Sequence, residues 1–385
     1  MKGGPCVLTS RLWGLSQGAR RDHSGTSRKL IAISMKCNRW WAAAVALAIV
    51  TACGGTNSAS PSPAALVSIG DGLHGPAGLH ASVFARGLIH AAALAFDPQG
   101  RLWVATAAYD YTGDDGVYVV ADAGATPVEV ITGLRTPLGL LWYAGSLYVA
   151  STSRVDAYSD FNGTRFLAHR TVLILPAGSG EVNELVLAPD GRMLMGITAP
   201  CDHCTPVLAV SGSIVSFLPD GSGLTEFATR IRAPVGLEFY PGTDDLFVTM
   251  NQRDDLGART PGDWLAVLRE GQSWGFPACY GQGSSVCAGV PAPVAVLDKH
   301  AAVSGVAIVT GQLGPAVGTK ALVAEWAKGV VDAVTLTHVG TGYTGTVVKF
   351  ITGLKSPVPV ILGPDNAIYV GDWGAGIVYR VAASG

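Results

Sequence analysis

The sequence predicts an all-β fold, a six-bladed β-propeller over residues 80–383. Three observations predict it. First, one phrase recurs six times: an apolar or glycine-containing entry, a short apolar run, a turn, and a second apolar run. Second, the repeats fall at irregular spacings of roughly 45 to 65 residues, the range of propeller blades and solenoid units. Third, the chain holds 50 glycines and shows weak helical periodicity, which suits many short strands joined by tight turns. No unit can bury both faces of its own sheet, so neighbours must stack. Closing the stack into a ring protects the edge strands. Two separate β-sandwiches would not repeat one entry phrase six times.

The segments before the propeller have other roles. Residues 1–34 read as an over-extended start, because Met35 opens a conventional signal. Lys36 and Arg39 make that signal basic, and residues 40–52 form its apolar run. The run is too short for a spanning helix, which needs about 20 residues. It ends in Val50-Thr51-Ala52-Cys53-Gly54, which resembles a bacterial lipobox. The expectation for 35–53 is therefore a lipoprotein signal peptide, with cleavage before Cys53 and lipidation of it. Residues 54–79 are read as a flexible tether, Ser/Pro/Gly-rich at its start. The protein is expected outside the cytoplasm, held to the bacterial cell membrane only by the lipid.

The six units follow in order. The first is Gly87-Leu88-Ile89-His90 with runs at 93–96 and 102–106. The second is Gly133-Leu134-Arg135-Thr136-Pro137 with runs at 139–142 and 147–150. The third enters at Gly180-Glu181-Val182-Asn183, with runs at 185–187 and 193–197. The fourth enters at Arg232-Ala233-Pro234 and has its second run at 246–250. The fifth enters at His300, with runs at 305–309 and 321–325. The sixth is Gly353-Leu354-Lys355-Ser356-Pro357, with runs at 360–362 and 368–370.

In a propeller the innermost strand of each blade starts at one end of the central channel. The entry residues His90, Arg135, Glu181, Arg232, His300 and Lys355 should therefore ring one mouth. Three of these are basic and two are histidines, a set that would focus an anionic ligand. Elsewhere charge is balanced, with 26 Lys and Arg against 28 Asp and Glu. No basic patch argues for nucleic acid. After the fourth unit comes a long polar loop carrying Arg253, Asp254, Asp255 and Asp263, and it runs into Trp274-Gly275-Phe276-Pro277. Loops of this length inside compact domains are uncommon and usually functional. Cys201, Cys204, Cys279 and Cys287 form two close pairs in separate loops, and export makes two local disulfides the natural reading. A zinc site at Cys201-Asp202-His203-Cys204 would need further ligands, and no second pair lies near in sequence.

Three stretches together carry a resemblance: Arg232-Ala233-Pro234-Val235-Gly236-Leu237, the loop with Asn251 and Asp263, and Trp274-Gly275-Phe276-Pro277. They resemble the glucose/sorbosone dehydrogenases. Tyr369-Val370-Gly371-Asp372-Trp373 in the last unit agrees. The resemblance implies a six-bladed propeller that uses pyrroloquinoline quinone and calcium to oxidise a sugar, passing electrons to an external acceptor. It makes Arg232 a residue lying against cofactor and substrate, Asp263 a calcium ligand, and main-chain carbonyls near Asn251 and Gln252 the rest of the shell. It puts Lys328 within one residue of a cofactor-binding lysine. Arg135, Lys355 and the hard calcium site would help hold the cofactor's carboxylates. Neither Arg232 nor Asp263 lies in an expected strand, so their removal should leave the fold intact.

One position departs from the family. The family's histidine base falls at Gly180 here. Glu181, His90 or His300 would have to replace it, since losing a positioned base typically costs about 10²–10⁴ in rate. The rival reading is a non-catalytic ligand-binding or surface-assembly propeller lipoprotein. A propeller lactonase is a third, but it wants several carboxylate and asparagine ligands in the channel, and only Glu181 and Asn183 stand near the mouth.

Overall fold

The computed structural model describes residues 65–384. Six sheets form six blades, each running outward from an innermost strand. The innermost strands are Ala91–Phe96, Gly139–Tyr143, Val182–Leu187, Pro234–Phe239, Val303–Thr310 and Pro357–Leu362. All begin within a few residues of the expected entries. The strands Leu102–Thr106, Met193–Ile197 and Leu246–Met250 match the expected runs residue for residue.

The ring closes by a long-range pairing. Blade six has three strands from the end of the chain, and Leu79–Arg86 completes it by pairing antiparallel with Ile377–Ala383. This pairing removes the edge that an open stack of sheets would leave.

Packing follows the stacking argument. Six large clusters of buried apolar side chains each join two adjacent blades, including blade six to blade one. Trp103 of blade one is fully buried and stacks on Trp142 of blade two at 5.3 Å. Where innermost strands converge, backbones nearly touch. A Cβ on Gly236 would lie 2.3 Å from the Ser304 carbonyl of the next blade, so only glycine fits.

The tether expectation is corrected in part. Val67–Gly70 and Leu73–Gly75 form a hairpin that extends the sheet of blade five, with His74 opposite Thr352. Ile69 and Leu73 are buried there, and that burial offsets the entropy of ordering the segment. The signal peptide, Cys53 and the remainder of the tether lie outside the described residues. Among the described residues no helix is long and apolar enough to cross a membrane.

Candidate functional site

A cavity of about 440 Å³ opens at the channel mouth where the innermost strands begin. Blades one, three, four, five and six line it, through Tyr109, Glu181, Asn183, Arg232, Asn251, Ser304, Trp326 and Trp373 among others. A second cavity of about 250 Å³ adjoins it and shares Arg232, Asn251 and Trp326. Its other walls include Gln252, Asp254, Asp263 and His300. The polar loop of blade four therefore does reach the mouth.

Arg232 sits where the two spaces meet. Its Nη2 donates to Asp202 Oδ1 at 2.7 Å, and its Nη1 donates to the Asn251 carbonyl at 3.3 Å. Asp202 lies inside the Cys201–Cys204 loop of blade three, and the two cysteines are bonded. The same carboxylate accepts the main-chain N–H of Asp254 at 2.9 Å and of Asp255 at 2.8 Å. One small covalent loop thus clamps both the arginine and the start of the polar loop in blade four. Asp202 was not anticipated as a site residue. The available signal was an acid held between two bonded cysteines. The second disulfide, Cys279–Cys287, closes as expected, with Cα atoms 5.1 Å apart.

Asp263 has a structural task beside any ligand role. It is 2 % exposed. Its Oδ1 accepts the Gln252 N–H at 2.8 Å and its Oδ2 the Val303 N–H at 3.4 Å. It therefore joins the end of its blade's second strand to the entry of the next blade. Asp115 does the same in blade one, accepting Ala108 N–H at 2.8 Å and Thr136 N–H at 2.9 Å. Burial, partly offset by these N–H donors, pushes Asp263 above the usual carboxylate range. The expectation that Asp263 is dispensable for folding is corrected: its loss would leave buried N–H groups without acceptors.

The oxygens beside Asp263 fit a hard cation. Asn251 Oδ1 and Gln252 Oε1 are buried and have no hydrogen-bond donor. Two orphaned amide oxygens next to a buried carboxylate are the donor class that calcium takes. They stand beside the expected main-chain carbonyls, of which that of Asn251 accepts from Arg232 at 3.3 Å and keeps a second lone pair. No group of three His, Cys, Asp or Glu poised for a metal occurs among the described residues. Such a site would rest on neutral oxygens more than on charge.

The expected basic ring does not assemble. Among the described residues, Arg232 is the one Lys or Arg lining the mouth cavity and Glu181 the one acid. Arg135, Lys328 and Lys355 are exposed and line neither cavity. Lys355 Nζ donates to the Gly374 carbonyl at 2.8 Å. The entry turns of blades two and six leave Arg135 and Lys355 in solvent, and Lys328 stands in the turn Trp326–Lys328 after the second strand of blade five.

The three candidate bases separate clearly. His300 uses both ring nitrogens, with Nδ1 2.7 Å from Asp254 Oδ1 and Nε2 3.0 Å from the Gly257 carbonyl. Asp254 and that carbonyl hold its pKa above the usual imidazole value, and with both ring nitrogens engaged His300 ties Asp254 to Gly257. His90 is not among the cavity's lining residues and packs against the Trp373 ring at 4.3 Å between centroids. Glu181 remains. It lines the mouth, and Tyr111 Oη donates to its Oε1. Gly180 cannot carry the family's histidine as this loop runs: its φ is +108°, and a Cβ would lie 1.9 Å from the Thr198 carbonyl. Tyr109, Trp326 and Trp373 give the mouth aromatic walls, and Tyr111 stands behind Glu181. Trp326 and Trp373 meet edge to face at 5.9 Å. The two tyrosines went unremarked in sequence, although Tyr-Asp-Tyr in a turn was the available signal.

The fold and site thus define a six-bladed propeller with a cavity at its channel mouth that combines aromatic walls with Arg232 and Glu181. No protein-family model matches the chain, and no curated protein matches it. Solved structures do. The chain superposes on the aldose sugar dehydrogenase of Streptomyces coelicolor in its form bound to pyrroloquinoline quinone, with a TM-score of 0.60 and 20 % identity over 80 % of this chain and 99 % of that one. The quinone domain of pyranose dehydrogenase from Coprinopsis cinerea, in its holo form, matches at 0.66 and 14 % identity, over 80 % and 97 %. The calcium structure of a Trichoderma reesei carbohydrate-active enzyme of family AA12 matches at 0.66 and 15 %, over 80 % and 96 %. These are the architecture that the sequence resemblance implied. At such identities the likeness shows the fold alone.

Proposed function

We propose that the protein is an exported quinoprotein oxidoreductase, which oxidises an aldose or related sugar with pyrroloquinoline quinone and calcium and hands electrons to an external acceptor. The observation that carries this reading is the pair of orphaned oxygens, Asn251 Oδ1 and Gln252 Oε1, beside Asp263 in a space that Arg232 also lines. An unpaired buried oxygen costs free energy unless a cation or donor meets it. Calcium would be held by these oxygens. The quinone's carboxylates would meet that cation and Arg232, with the Trp326 and Trp373 rings as flat walls. When bound, the quinone supplies the two-electron acceptor for the sugar's carbinol carbon.

The chain's own residues do the rest. Arg232, held by Asp202, presents a fixed positive charge where negative charge develops. Glu181 accepts the proton of the reacting hydroxyl. Tyr111 binds one of its oxygens and leaves the other for the substrate. The aromatic walls limit water and offer apolar faces to a sugar ring.

Purified mature protein reconstituted with calcium and the quinone should gain visible absorbance and catalyse dye-linked oxidation of aldoses. Arg232→Ala should lose that oxidation. Absence of cofactor binding at every calcium concentration would instead support the second reading, a non-catalytic binding propeller. The specific observation on that side is Gly180, where no histidine fits.

A further inference from the structure

The segment between the strands Met193–Ile197 and Ser213–Phe217 of blade three carries the Cys201–Cys204 disulfide, and its middle has little else to hold it. Among the described residues, none of 200–207 makes a main-chain to main-chain hydrogen bond. Val207 is 96 % exposed. The hydrogen bonds of residues 200–207 to the rest of the protein are those of Asp202 with Arg232, Asp254 and Asp255, and one of His203, whose Nε2 lies 3.1 Å from the Pro277 carbonyl.

The two disulfides differ in access. Cys201 and Cys204 are both partly exposed. Cys279 is 4 % exposed, in a loop that Arg230 pins by donating to the Phe276 carbonyl at 2.9 Å and the Gly275 carbonyl at 3.2 Å. Exposed disulfides are the ones a thiolate opens first. The acid that the exposed ring fixes, Asp202, is the side chain that joins Arg232 at the mouth to the start of the polar loop. With the ring open, Asp202 is free to leave with its segment. The Asp254 and Asp255 N–H groups then lose this acceptor, and Arg232 keeps the Asn251 carbonyl at 3.3 Å. We propose that Cys201–Cys204 is a thiol–disulfide exchange site, opened by a dithiol reductant, and that its redox state holds or releases Asp202 and with it Arg232 and the polar loop. A thiolate of the dithiol attacks one sulfur, the Cys201–Cys204 bond breaks, and a mixed disulfide forms. The second thiol of the reductant then displaces the protein sulfur. The reductant leaves as a disulfide, oxidised by two electrons, and its two protons end on Cys201 and Cys204. The oxidised protein is the clamped form.

The test reads structure, so it stands apart from catalysis at the mouth. Graded dithiothreitol, followed by alkylation and peptide mapping, should open Cys201–Cys204 while Cys279–Cys287 stays closed. Closing so short a ring is worth about twentyfold in the chain-entropy model. Hydrogen exchange at the Asp254 and Asp255 amides should therefore quicken about twentyfold in the reduced form, with the strands Pro234–Phe239 and Leu246–Met250 unchanged. Reoxidation should restore the slow exchange. Asp202→Ala should show fast exchange at these amides while still oxidised, and no further response to reduction. If Cys201–Cys204 resists until Cys279–Cys287 opens as well, the exchange site is overturned. Unchanged exchange at Asp254 and Asp255 after reduction overturns the control of the polar loop. Exchange rising through all the strands of blades three and four would make the bond a general staple, and that also overturns the proposal.

Discussion

Asp263 offers the sharpest test, because two roles fall on one carboxylate and the chain supplies its own control. Asp115 makes the same inter-blade clasp in blade one, and neither orphaned oxygen, Asn251 Oδ1 nor Gln252 Oε1, belongs to that blade. Replacing either aspartate by alanine leaves two main-chain N–H groups short of an acceptor. Each orphaned buried donor costs about 1–3 kcal/mol. At Asp115 both bonds are short, so about 2–6 kcal/mol is expected. At Asp263 the bond to Val303 is 3.4 Å and counts for less, so about 2–4 kcal/mol is expected. Calcium then separates the roles. If Asp263 is a ligand, calcium at a hundred times its Kd stabilises the wild type by about 2.7 kcal/mol, a rise in Tm of about 4 °C. Differential scanning calorimetry with and without calcium should show that rise in the wild type and in Asp115→Asn. Asp263→Asn should lose most of it. An equal calcium response in both variants would refute the ligand role. Unchanged stability of both alanine variants without calcium would refute the clasp.

Other expectations are testable alongside. Glu181→Gln should lower turnover of the reconstituted enzyme by about a hundredfold with cofactor affinity little changed, and Tyr111→Phe should lower it less; full activity in Glu181→Gln would remove this base. Glu184 lines the narrow channel and accepts the Leu237 N–H at 2.7 Å, and burial, aided by repulsion from Glu238 on the next innermost strand, pushes its pKa up to about 8. A carboxyl raised in this way stabilises the fold below its unfolded pKa near 4.5, and that contribution is lost as pH rises through about 8. Glu184→Gln should therefore gain stability relative to wild type at pH values above about 8 and not at about 4, by at least about 1 kcal/mol in urea titrations; a pH-independent difference would show that Glu184 titrates normally. Mass spectrometry of the mature protein should find a lipid-modified Cys53 at the N-terminus, and a product cut elsewhere would end the anchor proposal.

The architecture was legible in the sequence because its determinants are local. Apolar runs of strand length, turns such as Pro189-Asp190-Gly191, and a repeated entry phrase depend on neighbours a few residues apart. Both disulfides were legible for the same reason, since each joins cysteines within one loop. The tertiary structure decided everything that joins distant segments. Ring closure pairs Leu79–Arg86 with Ile377–Ala383, and a strand's partner is set by shared edges and packing that no local pattern encodes. The charged entries could be placed on one rim from their repeat position, but not aimed. Each side chain's direction depends on its own turn, so Arg232 turned inward onto Asp202 of another blade while Arg135 stayed exposed and Lys355 reached the Gly374 carbonyl of its own blade. Asp263 was picked out as a ligand from its motif, yet its clasp on Val303 of the next blade exists only when the blades stack. Sequence determined which residues stand at the mouth's edge; packing between blades determined which of them face into it, because a side chain settles where its charge finds a partner or water.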